Sequence, residues 1–395
     1  MSAGEGNSGK LTVAHFLPWA GMGGVEVATL RMIEAMNGEF HPVAFCLPDA
    51  AVRGPLERAG VQVVSYVPPV MSARQVRRYS EESRIIARQL RGLGVDIVHF
   101  AETKAAEHNS LAAVQAGCRV VCHVRNTYPE LTWRQRLPLL PVDCFVFVSK
   151  EARREFGVSL PERKARVIYD AIELPSAEAM GSRAEVRREW GIAEDSVVVG
   201  MVARVNPQKD YFTLGAAAAK VVQRESKVRF LVVGDHSLVE MNRQHFREVS
   251  AEMERLGVLD RFVFAGHRTD VYRQISAMDI SVLATHREGF GLCVAESMAM
   301  QRPVVATAVG GILDFVQDGV TGLLHRHEDA DGLAEAIVSL AGDPVERERL
   351  GMAGYEFVKS HYSRKAFVRE LGATYREVAR GRAPRGIYGG VGAVA

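Results

Sequence analysis

The stretch Thr285-His-Arg-Glu288-Gly-Phe-Gly291-Leu-Cys-Val-Ala-Glu296 sets two carboxylates around a Gly-Phe-Gly turn, directly after the apolar run Ile280–Ala284. Gly289 and Gly291 let a backbone approach a ligand closely. A helix is expected to start near Leu292, and its first free N–H groups could hold a phosphate. Glu288 lies just before that helix. Glu296 lies about one turn inside it, where a carboxylate can accept two hydrogen bonds from a ribose diol. Two carboxylates with a phosphate-binding helix end between them would grip a sugar nucleotide at both ends. An ordinary acidic first turn explains one glutamate but not the glycines beside it.

A second segment, Arg204-Val-Asn-Pro-Gln-Lys209-Asp210, follows the apolar run Val197–Ala203. An arginine fork and a lysine point charge in one loop suit two adjacent phosphates; two solvated surface cations are the plainer reading of this segment alone. Near the start, Gly21-Met-Gly23-Gly24-Val-Glu26 opens a helix. That is either an anion site or a tight packing turn, and it lacks the G-x-G-x-x-G spacing of dinucleotide binders. Gly310-Gly311 resembles another backbone-approach turn, and Asp318-Gly-Val-Thr-Gly322 carries a hairpin signal. Asp329-Ala-Asp331 imitates a metal-binding D-x-D, but it stands before an apolar-periodic helix, where an acidic N-cap accounts for it. No metal site is expected there or elsewhere.

These loops need a frame. Short, nearly all-apolar runs alternate with helical patterns: Leu11–Leu17, Val43–Leu47, Val61–Tyr66, Ile97–Phe100, Val120–Val124 and Phe145–Ser149, then Val197–Ala203, Val228–Gly234, Phe262–Ala265, Ile280–Ala284 and Pro303–Ala306. Strands buried on both faces read this way, and the alternation with helices implies parallel sheets of about six strands each. Asp170–Ser182 has turn residues and no clear periodicity, so the domain junction is placed there. The expected division is a polar, disordered leader over 1–10, an N-terminal domain over 11–175 and a C-terminal domain over 185–360. A last helix near 364–380 could pack back on the first domain, ahead of a frayed Gly-rich tail. A chain of 395 residues is long enough for two cores.

Net charge is +2, which offers no broad footprint for nucleic acid. Five cysteines do not make a disulfide framework. Cys46, Cys122, Cys144 and Cys293 sit in apolar patterns as buried free thiols, and Cys118 with Cys122 lacks the second pair of a zinc site. No apolar stretch reaches the roughly 18–20 residues of a membrane span, so a cytoplasmic protein is expected.

The ordered landmarks resemble glycosyltransferase family 4, the "group 1" retaining enzymes of the GT-B fold. Glu288-Gly-Phe-Gly through Glu296 carries most of the likeness, with Arg302-Pro-Val-Val-Ala-Thr-Ala-Val-Gly310-Gly311 and Asp318-Gly-Val-Thr-Gly-Leu-Leu after it. Gly23-Gly24, Asp96-Ile-Val-His99, Val120-Val-Cys-His123, Val167-Ile-Tyr-Asp170, Arg204 through Lys209, Gly234-Asp235, Gly266 and Met278-Asp279-Ile280 are similar to the remaining landmarks, in the same order. The resemblance implies an α/β fold of two Rossmann-like domains with parallel sheets facing across a cleft. It implies that Arg204 and Lys209 hold the diphosphate together with the amides of Gly291, Leu292 and Cys293. Glu288, Gly289 and Phe290 would bind sugar hydroxyls, and Glu296 the ribose. His267 and Arg268 would lie by the base. Asp235 and the Gly23-Gly24 loop would line the donor, and His123 would stand beside the reacting sugar carbon.

The activity so implied is transfer from a UDP- or GDP-sugar to a hydroxyl of a glycan, a lipid-linked or a small-molecule acceptor. It would need no metal and no cofactor beyond the nucleotide sugar. A sugar-nucleotide epimerase of the same fold and a non-catalytic nucleotide-sugar-binding subunit are the rival readings. Departures fall in the donor loops: Asp170-Ala171 replaces a usual Asn-Gly, Ala203 and Asp210 replace glycines, and His236 replaces a Gly or Pro. Gly21, Glu102, Arg125 and Tyr128 are placed at the acceptor. The basic helix pattern of Ala73–Leu93 and the stretch Trp133-Arg-Gln-Arg-Leu-Pro-Leu-Leu140 could touch an anionic inner membrane face; a solvated helix face and a packed connector explain them equally well.

Overall fold

A computed structural model describes residues 9–70 and 75–381. Most of the expected leader, the first two residues of the basic pattern (Ala73 and Arg74) and the Gly-rich tail lie outside the described residues. The chain forms two compact units. One comprises the residues up to Val148, Glu155–Ile168 and the stretch from Phe367 onward; the other comprises Ser149–Arg154 and Tyr169–Ala366.

The first unit is built on a seven-stranded parallel sheet: β1 (Thr12–Leu17), β2 (His41–Cys46), β3 (Gln62–Ser65), β4 (Ile97–Phe100), β5 (Arg119–Val124), β6 (Cys144–Phe147) and β7 (Ala165–Val167), in the order β3-β2-β1-β4-β5-β6-β7. The second holds six parallel strands: β8 (Val197–Val202), β9 (Val228–Val233), β10 (Phe262–Phe264), β11 (Ile280–Leu283), β12 (Val304–Thr307) and β13 (Leu323–His325), in the order β10-β9-β8-β11-β12-β13. In each sheet the order reverses beside the first strand, between β1 and β4 and between β8 and β11. Loops at the carboxyl ends of strands flanking such a switch point are where a parallel sheet offers a ligand site. The Gly21–Gly24 loop follows β1, Glu102 follows β4, Arg204–Lys209 follows β8 and Glu288 follows β11.

One device closes the opposite ends of three strand pairs. The aspartate just before β4 accepts from the Thr12 amide of β1 (3.0 Å), the one before β6 from the Val120 amide of β5 (2.9 Å), and the one before β11 from the Val198 amide of β8 (2.7 Å). These are Asp96, Asp143 and Asp279. Each satisfies a strand-end donor that the ladder leaves open. Asp279 also pairs with Arg187 (2.6 Å) and Arg183 (2.5 Å). Arg187 is fully buried and donates to the carbonyls of Ala277, Glu194 and Ser196 as well. Replacing Arg187 by methionine removes four bonds, leaving three carbonyls without this donor and Asp279 with only Arg183 and the Val198 amide. It is expected to cost the second unit about 3–5 kcal/mol, read as a lower midpoint in urea with an unchanged slope.

Three expectations are corrected. Asp170–Ser182 and the residues just after it are not without regular structure. They contain the helices Ala177–Gly181 and Arg183–Glu189, too short to show a period in sequence, and the second buries Val186 and Arg187. The second unit begins at Tyr169 rather than near 185 and also takes residues 149–154. Tyr169 is drawn in by ring contacts with Phe290 and Tyr362, and the Lys150 amide donates to Asp314 (2.7 Å). Finally, Asp318–Gly322 is a turn leading into β13, which pairs with β12 in parallel, not as a hairpin. The last helix, Arg364–Arg380, buries Phe367, Leu371 and Tyr375, and from Phe367 onward it belongs to the first unit. Asp329 caps its helix through the Gly332 amide (2.8 Å). No described helix is long and apolar enough to cross a membrane.

Candidate active site

In the second unit, the loops after β8 and β11 are laced together by backbone and side chain. Asp210 N–H donates to the Ala284 carbonyl (3.0 Å) and His286 N–H to the Gln208 carbonyl (3.0 Å), while the Gln208 amide side chain reaches the Arg287 carbonyl (3.1 Å). The Thr285 hydroxyl donates within the same lacing. This brings Lys209 and Glu288 into an ion pair of 2.5 Å, both side chains largely buried. Burial opposes the charge on Lys209, but the Glu288 carboxylate and its hydrogen bond outweigh that and raise the lysine pKa above its ordinary value. Arg204 lies exposed in the same loop, without a hydrogen-bond partner among the described residues.

The helix Leu292–Ala299 starts where the sequence places it. The amides of Leu292 and Cys293 have no protein acceptor among the described residues, as expected of a first turn. Glu296 is buried one turn in, near enough to influence the Cys293 thiol, which desolvation pushes up to about 12. Gly310 and Gly311 pack backbone to backbone on this loop, with Gly311 N–H donating to the Glu288 carbonyl (3.1 Å).

Several expected donor contacts have other work. The Phe290 ring is buried against Tyr169, Phe315 and Tyr362, so only its backbone is left to meet a sugar. Asp235 accepts from the amides of Ser237 (2.9 Å) and Leu238 (2.7 Å) and from Asn242 (2.6 Å). Burial works against its charge, but these bonds hold its pKa below the ordinary range. It shapes the loop after β9. Arg268 pairs with Asp270 (2.9 Å) and Glu189 (3.3 Å) and lies over the Trp190 ring. His267 stays exposed.

The first unit holds a separate polar cluster. His123, at the end of β5, is fully buried; its Nδ1 is 3.0 Å from His99 Nε2, and His99 Nδ1 bonds the Tyr375 hydroxyl. His15 lies 5.3 Å from His99, ring to ring. Burial pushes all three imidazoles down, His15 to about 3, and the Arg125 charge adds to the effect on His99 and His123. His123 is therefore neutral at pH 7. Its Nε2 is the position in this chain of bonds without a hydrogen-bond partner among the described residues. His99 is legible in the sequence as a landmark, but its bonds to His123 and Tyr375 are not; no local pattern links a strand to a helix so far along the chain.

Glu102 is buried and accepts from Thr103 N–H (2.7 Å), the Tyr128 hydroxyl (3.0 Å), Asn126 (3.1 Å) and Arg125 N–H (3.3 Å). Burial raises its pKa against these bonds. The structure thus joins three of the four expected acceptor residues, with Glu102 as the clamp for the loop after β5. Gly21 and Gly24 are exposed, and a Cβ at either would meet nothing, so protein packing does not demand glycine there. Gly23 N–H donates to Glu26 (2.7 Å). Of the basic helix, Arg77 and Arg78 pair with Glu81 and Glu82 one turn on. Trp133, Leu137 and Leu140 are exposed.

Two family models match the chain: "Glycosyltransferase Family 4" over residues 22–174 and "Glycosyl transferases group 1" over residues 196–343. A D-inositol 3-phosphate glycosyltransferase of Kribbella flavida is 36% identical over 197 residues, which is 49% of this chain and 46% of the relative. An alpha-D-kanosaminyltransferase of Streptomyces kanamyceticus is 28% identical over 264 residues, 64% of this chain and 65% of the relative. The chain spans about half the length of the first of these and under two thirds of the second. Among solved structures, Anabaena Alr3699/HepE in complex with UDP-glucose aligns with a TM-score of 0.82 at 19% identity, covering 93% of this chain and all of that one. That likeness concerns the fold, which is GT-B. With a family model on each of its two units and the Glu288–Glu296 loop between matched strands, the chain belongs to the group 1 glycosyltransferases of family 4.

Proposed function

We propose that this chain transfers a sugar from a nucleoside diphosphate sugar to an acceptor hydroxyl, with retention of configuration and without a metal. The observation that carries the reading is the Lys209–Glu288 pair set beside the open amides of Leu292 and Cys293, with Glu296 buried one turn further on. A diphosphate entering this loop would compete with Glu288 for Lys209. Arg204 and the two amides would share its charge, which grows as the nucleotide leaves; preorganised donors of this kind stabilise a leaving anion without reorganising. Glu288, released from the lysine, would turn to the sugar hydroxyls, and Glu296 would hold the ribose. The sugar–oxygen bond to the diphosphate breaks as the acceptor oxygen bonds the same carbon on the same face. The departing phosphate oxygen takes the acceptor's proton.

The UDP-glucose bound by the Anabaena relative favours a UDP-sugar over a GDP-sugar. The relative named for D-inositol 3-phosphate favours a polyol hydroxyl as acceptor. The exposed Trp133, Leu137 and Leu140, beside Arg134 and Arg136, are where a lipid-linked acceptor would bring a membrane surface. The test is a thermal-shift panel of UDP-, GDP-, ADP-, TDP- and CDP-sugars with and without EDTA. A ligand at 100 times its Kd adds about 2.7 kcal/mol. A shift with one base, indifferent to EDTA and abolished in Glu296→Ala, is expected. No shift with any nucleotide sugar would remove the donor site and the reading with it.

A further inference from the structure

Outside the residues already assigned, one cluster of metal-ligating side chains stands out in the second unit. His286, in the loop after β11, and His327 and Glu328, just past β13, place one ligand atom each within 4.8 Å of one another. His286 Nδ1 is 2.8 Å from His327 Nε2, and a Glu328 carboxylate oxygen lies 3.7 Å from the first and 3.9 Å from the second. The geometry points to a binding site for one first-row transition ion, of the zinc or nickel class, on His286, His327 and Glu328.

Three features support this. A tetrahedral ion with bonds of 2.0–2.1 Å has ligands about 3.3 Å apart, and the three separations bracket that value. The set is two imidazoles and a carboxylate, which suits zinc, copper and nickel and not calcium or magnesium. The ligands stand on fixed backbone. His286 N–H is bonded to the Gln208 carbonyl, and Glu328 takes a left-handed φ of 57°, uncommon for a residue with a Cβ. The next residue, Asp329, caps the helix Ala330–Gly342. His325, two residues before His327, is not available as a further ligand, because Thr307 and the Arg326 carbonyl face its two nitrogens. All three ligands reach solvent, so water can complete the ion's coordination.

The proposed ion takes no step in sugar transfer. It would tie the 284–291 loop to the 326–328 turn, and His286 is two residues from Glu288. The site therefore goes beyond the proposed activity and stands or falls apart from it.

The experiment is calorimetric titration of Zn2+ into untagged, chelator-stripped protein, followed by Co2+ spectroscopy. One saturable site per chain is expected. His286→Ala and His327→Ala should each weaken it at least about tenfold, with far-UV circular dichroism and nucleotide-sugar binding in zinc-free buffer unchanged. Co2+ should give the visible bands of a four- or five-coordinate nitrogen and oxygen site, with no thiolate charge-transfer band. Unchanged Zn2+ affinity in the His286→Ala/His327→Ala double variant would overturn the assignment. So would the absence of any saturable site, or a thiolate band assigning the ion to a cysteine.

Discussion

Lys209→Ala is expected to lower kcat about 10²–10³-fold, the usual cost of removing one preorganised donor from a developing anion. The nucleotide sugar should still bind, because Arg204, the first-turn amides and Glu296 remain. Stability should fall as well. The Glu288 carboxylate would be left largely buried without its cation, a loss somewhat below the roughly 3–5 kcal/mol of a fully buried pair. Glu288→Gln separates the two effects. The double variant should regain part of the stability while turnover stays low, because the pair is repaired in charge but the phosphate has lost its lysine. Normal kcat in Lys209→Ala would remove the lysine from the chemistry.

The same pair carries a pH signature. Lys209 has a native pKa above its ordinary value, with burial outweighed by Glu288. Its contribution to stability is therefore complete below the unfolded lysine value and is lost as pH rises through the raised native one. In Glu288→Gln, burial acts without that opposition. The Lys209 share of the alkaline loss should then disappear or reverse across about pH 8–11, because a lysine lowered by burial is stabilised, not destabilised, as it loses its proton; urea midpoints would show it.

Gly310→Ala is the second large expected effect. Gly310 takes a φ of 57°, and a Cβ there would collide with the Glu288 carbonyl oxygen. The backbone term is about 1–3 kcal/mol and the overpacking term about 1–3 kcal/mol, so a loss of about 2–6 kcal/mol is expected, with the Glu288 loop displaced and nucleotide-sugar affinity reduced. Gly319→Ala is the control. Its φ of 71° is equally left-handed, but its Cβ would meet open space, so only about 1–2 kcal/mol should be lost and binding should hold. Equal effects at both positions would mean that the collision with Glu288 contributes nothing.

The strand cores were legible because parallel strands buried on both faces are continuous apolar runs, and eleven of the thirteen stand as such in sequence. The two that escaped, Ala165–Val167 and Leu323–His325, are three residues long. Glu288, Glu296 and Lys209 were legible because their loops follow strands adjacent at a switch point, so sequence segments some 80 residues apart become neighbours by topology alone. Side-chain occupancy was not legible. Phe290, Asp235, Arg268 and Glu102 stand where a ligand-facing residue could stand, but burial and local bonds commit their side chains to the protein. Asp96 and Asp279 were visible as landmarks; that each closes the end of a neighbouring strand depends on which strands the sheet sets side by side. The bonds from His123 through His99 to Tyr375 were hidden for a plainer reason, since Tyr375 is brought to His99 only by the packing of a helix hundreds of residues later.

That packing sets an order of events during synthesis. A ribosome releases β1 to β7 long before the helix Arg364–Arg380, so the sheet of the first unit emerges first and waits. Until Phe367, Leu371 and Tyr375 arrive, their place on that sheet is uncovered, and His99 has no phenol to hold its ring. The unit whose strands emerge first is thus completed last, and a nascent chain stalled anywhere in the second unit would present a first unit with exposed core surface. Such species are the ones that aggregate and that chaperones meet.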